Sequence, residues 1–139
     1  MNSQCLFCRI INNEIPAHKI YEDANTLAFL DINPLTKGHT LLIPKKHVTL
    51  IEELNTNESI TLLKTITKII SKVNKGTNTQ SSTIAINNGK ESGQEIPHTH
   101  IHIIPRSAGD GSNPIQIPMT KRPNLNQNDF QTLATKIKR

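Results

Sequence analysis

The chain predicts an α+β domain, on three observations: short β-branched runs set between turn residues, one long stretch with helical spacing at the centre, and helical patterns confined to the two ends. Cys5 to Asn13 reads as a short helix that brings both cysteines towards a sheet. Lys19–Tyr21, Thr26–Leu30 and Thr40–Ile43 read as short strands of an antiparallel meander, separated by Glu22-Asp-Ala-Asn25, by Asn33-Pro34 and by Lys37-Gly38. Asn55-Thr56-Asn57-Glu58 supplies capping chemistry, and Ile60, Leu63, Ile66, Ile70 and Val73 then recur at helical spacing until Gly76. Ser82–Ile86 makes a fourth strand, residues 87–93 a loop, and the stretch from Pro97 to Arg106 a fifth strand. Asp110 to Arg122, carrying Gly, Pro and Asn, reads as a loop. Asn128 to Lys138 sets Phe130, Leu133, Ala134 and Ile137 on one face of a terminal helix. The expected architecture is an antiparallel sheet of about five strands with one long central helix and short terminal helices.

A length of 139 residues fits one domain spanning 1–139, large enough to bury a core and too small for two. Aromatics make up 3% of the chain and Trp is missing, so Ile, Leu and Val must carry the core, with Phe7, Phe29, Phe130 and Tyr21 as the large anchors. No stretch approaches the roughly 20 apolar residues of a membrane span, and Met1-Asn2-Ser3-Gln4 lacks the charged start of a signal peptide. The expectation is a soluble cytoplasmic protein without a membrane partner. The net charge of +5 invites a nucleic-acid reading. The lysines are scattered, however, as at Lys64, Lys68, Lys72 and Lys75, and no aromatic residues interleave with them as a stacking platform. Nucleic acid is therefore not the expected partner, whereas a positive field suits a small polyanion.

The chemistry concentrates in Pro97-His98-Thr-His100-Ile-His102-Ile-Ile-Pro-Arg106. On an extended backbone the period of two sends His98, His100 and His102 to one side. At about 3.3 Å per residue the outer two stand roughly 13 Å apart, so one metal cannot easily take all three. The plainer alternative is an edge strand with a solvated histidine stripe opposite buried isoleucines. Thr, Lys or Glu would serve such a face as well, and crowded imidazoles repel one another once protonated. Cys5-Leu-Phe-Cys8 leaves metal, redox chemistry or coincidence open. The redox reading lacks the strand and helix context of a thioredoxin-type site, and two thiolates supply half of a tetrahedral shell, which histidines would complete.

His98-Thr-His-Ile-His102-Ile-Ile follows the pattern His-φ-His-φ-His-φ-φ, with φ hydrophobic, and on it the chain resembles the histidine triad family of nucleotide hydrolases and transferases. Cys5-Leu-Phe-Cys-Arg-Ile-Ile-Asn-Asn-Glu-Ile-Pro16, Phe29-Leu-Asp-Ile-Asn-Pro34, Gly38-His-Thr-Leu-Leu-Ile-Pro-Lys-Lys-His47 and Gly93-Gln94 are similar to further segments of that family in the same order. The resemblance covers roughly residues 4 to 106 and leaves 107–139 as a C-terminal tail. It implies a two-layer α+β homodimer, joined through the long helix and neighbouring strands, that cleaves purine nucleoside phosphates at the α-phosphorus through a nucleotidyl-histidine. His100 matches the nucleophile. A neutral imidazole nitrogen is competent for that role near pH 7, and its phosphoramidate is labile enough for water to remove.

The resemblance further implies that His102 and His39 support the charge that develops on phosphoryl oxygens and leaving group. The lesser alternative for His39 is a strand-entry residue bonded to nearby backbone, and Asp31, which matches the acid that accepts from the ribose hydroxyls, reads without the resemblance first as a turn-former. Leu6, Phe7, Ile10, Phe29 and Ile32 match an apolar slot for the base, and each is also a credible core residue. Asn87, Gly93 and Gln94 match a loop that approaches phosphate. The metal-binding branch implies a structural zinc held by Cys5, Cys8, His47 and His98. Glu95 departs from the pattern, standing where many members carry a serine or threonine that donates to the leaving group or phosphate. Its carboxylate would repel phosphate, so it either points away or assists an amine leaving group. Arg106 resembles members that act on longer polyphosphates. The function this implies is hydrolysis of purine nucleoside 5′-phosphoramidates or related conjugates. Dinucleoside polyphosphate hydrolysis is the nearest alternative, and a nucleotide-binding module with little turnover the other.

Overall fold

The computed structural model describes residues 4–111 and 123–138. The elements run α1 (Leu6–Ile11), β1 (Lys19–Glu22), β2 (Thr26–Leu30), β3 (Thr40–Pro44), α2 (Thr56–Thr77), β4 (Ser81–Ala85), β5 (Ile101–Arg106) and α3 (Gln127–Lys138). The five strands form one antiparallel sheet in the order β1-β2-β3-β5-β4. The α+β expectation holds. The chain after β3 crosses through α2 to the far edge, and β5 then enters the vacant position between β3 and β4.

Strand alternation divides the core into two clusters, one on each face of the sheet. Ala28, Leu42, Ile101 and Ile103 pack with Leu62, Ile66, Ile69 and Val73 of α2. Leu27, Phe29, Leu41 and Ile43 pack with Cys5, Phe7, Cys8, Ile10 and Ile11 around α1. With Ile101 and Ile103 committed to the α2 face, His100 and His102 take the α1 face. The buried isoleucine stripe expected opposite the histidines is present.

Two sequence expectations shift. The buried line of α2 is Leu62, Thr65, Ile66, Ile69 and Val73, while Ile60 and Leu63 are 47% and 62% exposed. The expected 60/63/66/70/73 stripe shares Ile66 and Val73 with the buried line, but its first turn faces away from the sheet, which takes Leu62, Thr65 and Ile69 instead. Gly76 does not stop the helix, which ends at Asn78 in the left-handed conformation, φ 54°. The start is as expected: Glu58 N–H donates to Asn55 Oδ1 and Asn55 N–H to Glu58 Oε2, both at 2.9 Å, closing a capping box.

The histidine stretch also departs from a uniform strand. The β3–β5 ladder begins at the Leu42–Ile101 pair. Two residues further, Pro44 has no N–H to continue it. Residues 98–100 therefore leave the ladder, with Thr99 N–H donating to Val48 O at 2.7 Å. At the other end of β3, Gly38 has φ +89°, and a Cβ there would collide with the Thr77 methyl at the end of α2. Helix α3 is closed by reciprocal Asn126–Asp129 bonds, and its Phe130, Leu133 and Ile137 are exposed. The loop expected over Asp110–Arg122 lies, beyond Gly111, outside the described residues.

Candidate active site and metal centre

His100 is 7% exposed and packs edge-on against Phe7, ring centroids 5.2 Å apart. Its Nδ1 lies 2.8 Å from the His98 carbonyl oxygen. A carbonyl only accepts, so Nδ1 carries a proton, and in the neutral ring Nε2 carries the lone pair. The tautomer is thus fixed by a backbone carbonyl and not by a carboxylate.

His102 stands beside it, ring centroids 5.0 Å apart. His102 Nδ1 is 2.9 Å from His39 Nε2, and His39 Nδ1 accepts from Leu35 N–H at 3.1 Å. Asp31 closes the group, with Oδ2 3.7 Å from His39 Nε2 and Oδ1 accepting from Asn33 N–H at 2.9 Å. Asp31 is therefore both turn-former and site residue, and His39 is both backbone-bonded and turned to the triad. Burial pushes the His102 imidazole down to about 4, reinforced by His100 and His39 and opposed by Asp31. Burial likewise lowers His39, against the pull of Asp31. Both rings are held neutral at physiological pH.

Cys5, Cys8, His47 and His98 converge on one another, their donor atoms all within 4.8 Å, and the His98 ring also meets Phe7, centroids 5.9 Å apart. Cys8 Sγ is 3.3 Å from His47 Nδ1 and 3.6 Å from His98 Nδ1, Cys5 Sγ is 3.5 Å from His98 Nδ1, and the two Nδ1 atoms are 3.3 Å apart. Tetrahedral zinc, with bonds of about 2.3 Å to sulfur and about 2.0–2.1 Å to nitrogen, separates sulfur from nitrogen by roughly 3.5 Å and nitrogen from nitrogen by roughly 3.3 Å. The donor set fits that ion. His98 Nε2 donates to Pro44 O at 2.8 Å, which leaves Nδ1 free to ligate and orients the ring. Burial lowers His98 to about 4, with the Pro44 carbonyl opposing and His47 and His100 adding to the shift, so the ring is neutral as a ligand must be. A Cys₂His₂ shell is closed and has no place for a reacting water. Zinc bound there would be structural, tying α1 to the start of β5.

The HIT domain matches residues 12–109. The chain belongs to the HIT family. An uncharacterized HIT-like protein of Methanocaldococcus jannaschii is 50% identical over 107 residues, 77% of this chain and 82% of that one. The adenylylsulfatase HINT3 of Arabidopsis thaliana is 42% identical over 110 residues, 79% of this chain and 56% of that one. The adenosine 5′-monophosphoramidase hnt1 of Schizosaccharomyces pombe is 39% identical over 102 residues, 73% and 74% of the two chains. Among solved structures, a HIT family member of Bacillus subtilis superposes with a TM-score of 0.84 at 32% identity, covering 98% of this chain and 96% of that one. A zinc-bound histidine triad protein of Mycobacterium smegmatis gives 0.71 at 36% identity, covering 84% of each.

In this HIT protein the other residues expected at the site divide. Phe7, Ile10 and Phe29 are buried together, whereas Leu6 is partly open and Ile32 is 83% exposed. Asn87 is half-buried with its amide facing Gly93, whose φ of +100° suits only glycine. Gln94 does not present a free amide: its Oε1 accepts from Gly89 N–H at 2.8 Å and its Nε2 donates to the carbonyls of Thr49 and Ile96. It braces the loop instead. Glu95 is exposed. Arg106 forms a two-point pair with Asp110, both bonds 2.9 Å, and a third bond to Thr83 at 3.0 Å, so its guanidinium is engaged within the chain. The contributions absent from the sequence reading are backbone groups, namely Leu35 N–H and Pro44 O. The tight turn at Asn33-Pro34 and the proline at the end of β3 were their nearest signals.

Proposed function

We propose that this protein hydrolyses purine nucleoside 5′-phosphoramidates or related nucleotidyl conjugates to the nucleoside monophosphate, as a homodimer with zinc in its Cys₂His₂ site. The observation that carries the reading is the His100 ring, buried and with its Nδ1 proton tied to the His98 carbonyl, which in the neutral ring places the lone pair on Nε2. Nε2 attacks the α-phosphorus and forms an N–P bond as the bond to the leaving group breaks. The leaving amine or anion takes its electron pair, with His102 Nε2–H donating a hydrogen bond to the charge that develops, and takes any proton it needs from solvent. A water then attacks phosphorus, gives its proton to solvent as the N–P bond breaks, and releases His100 with the monophosphate. Asp31 holds the ribose hydroxyls, and Phe7 with its apolar neighbours flanks the base. Zinc on Cys5, Cys8, His47 and His98 supplies structural cross-linking, not activation of water. Relatives named for phosphoramidase and adenylylsulfatase activity support the reaction class. The engagement of Arg106 with Asp110 favours conjugates with short leaving groups over dinucleoside polyphosphates.

The homodimer is supported by a stripe of exposed apolar residues, Ile60 and Leu63 on α2 with Ile84 on the edge strand β4. The decisive measurement is release of AMP from adenosine 5′-phosphoramidate by the wild type and by His100→Ala, each folded and carrying equal zinc. Turnover by the wild type and a loss of at least about 10³-fold in the variant is the expected result. A wild type that binds AMP without turnover, or a variant as active as the wild type, would overturn the reading and leave a nucleotide-binding module.

A further inference from the structure

We infer that the backbone amide of Leu35 sets the direction of the proton along the His39–His102 pair, making the turn between β2 and β3 a positioning element for the reaction proposed above, on which the inference rests. A backbone N–H only donates, so its 3.1 Å bond to His39 Nδ1 requires a lone pair on that nitrogen. The neutral ring then carries its proton on Nε2, which lies 2.9 Å from His102 Nδ1. His102 must accept there, and its own proton is left on Nε2, on the side of the ring away from His39. The chain therefore runs one way, from Leu35 to His39, from His39 to His102, and from His102 outward as a donor. Run in reverse, His102 would present a lone pair to the phosphoryl oxygens and repel the charge it is placed to stabilise.

The turn that carries this amide is held from three sides. His39 N–H donates to Thr36 O at 3.0 Å and Asp31 N–H to His39 O at 2.9 Å, closing the turn on itself. Thr36 Oγ1 donates to Pro105 O on β5 at 2.8 Å. Gly38 lies against Thr77 at the end of α2, where no side chain fits. Leu35's own side chain is 75% exposed, so the role resides in the amide. The same bond decides against another use of the cluster. Asp31, His39 and His102 form a two-histidine, one-carboxylate group of the kind that holds a metal. A His39 ring that accepts at Nδ1 has its proton on the nitrogen such a metal would need.

Long-range ¹H–¹⁵N correlation spectra of the zinc-loaded wild type, without substrate, read the tautomers directly. The expected pattern is Nε2–H on His39 and His102 and Nδ1–H on His100. Leu35→Pro removes the donor and Leu35→Ala keeps it. On adenosine 5′-phosphoramidate we expect kcat to fall about 10²-fold in Leu35→Pro with KM little changed, the lower end of what one oriented hydrogen-bond donor to developing charge contributes, and Leu35→Ala to restore it. His39 in the proline variant should lose its single tautomer. A wild-type His39 protonated at Nδ1, or a folded Leu35→Pro that turns over like the wild type, would overturn the inference. If Leu35→Pro does not fold, the wild-type spectrum decides alone. Because that spectrum needs no turnover, a wrong tautomer defeats this inference and leaves the His100 reading standing, while an inactive wild type with the expected tautomers defeats only the activity.

Discussion

At the scale of single residues, three imidazoles are given three fixed tautomers by groups with no freedom of their own: the carbonyl of His98, the carbonyl of Pro44 and the amide of Leu35. The histidines were legible because their spacing is a side-chain pattern, and the family resemblance implied a backbone carbonyl behind His100; the tautomers of His39 and His98 were not legible, because their backbone partners leave no mark in a sequence. His102→Gln should lower kcat on adenosine 5′-phosphoramidate by about 10²–10³ with a smaller effect on KM, since it removes a donor used as charge moves. His102 also carries a stability signature. Its folded value of about 4 lies below the ordinary 6.5, so between those limits the unfolded chain binds the extra proton. Stability is complete above the upper limit and falls as the pH drops towards the lower one. Urea unfolding should show the wild type losing about 1–2 kcal/mol more than His102→Gln between pH 7 and pH 5, at equal zinc content. Equal losses would show that the ring is not held neutral by its surroundings.

At the scale of elements, type and order were legible and facing was not. The capping box placed the start of α2 correctly, because its two side chains act locally. The buried face was misjudged because Ile60 and Leu63 extend an apolar stripe that the sheet of the same chain does not cover. Ile69 is fully buried against the sheet, and Ile69→Ala should cost about 2–5 kcal/mol in urea unfolding, as a cavity there has no neighbour free to fill it. Helix α1 has six residues, too few to stand without tertiary support. Cys5 caps it by accepting from Cys8 N–H, and the same sulfur belongs to the metal cluster. Stripping zinc with a chelator at neutral pH should therefore lower the melting temperature and open both buried cysteines to a thiol reagent, with Cys8→Ser reproducing the effect. Cysteines that stay protected after metal removal would show that the packing of Phe7 and Ile10 suffices.

At the scale of the whole molecule, the strand order could not be read, since β5 enters between β3 and β4 and pairs with residues far away in sequence. The exposed stripe that misled the helix reading becomes intelligible at this scale as the surface proposed for the second copy. Leu63→Asp should yield a monomer by light scattering with its helical signal retained; a dimer that survives this charge is joined elsewhere. The net charge of +5 acts at the same range. KM for an anionic nucleotide conjugate should rise with ionic strength while kcat changes little, as screening removes the attraction of the field without touching the buried rings.

His98 belongs to both halves of the site. Its Nδ1 faces the two cysteine sulfurs, its Nε2 grips Pro44, and its carbonyl fixes the Nδ1 proton of His100. A substitution there leaves the backbone carbonyl in place but removes the ring that anchors it between the cysteines and Pro44. In a mutational screen scored only by product formed, His98 should rank with His100, although under the proposed reaction it never meets a phosphorus atom.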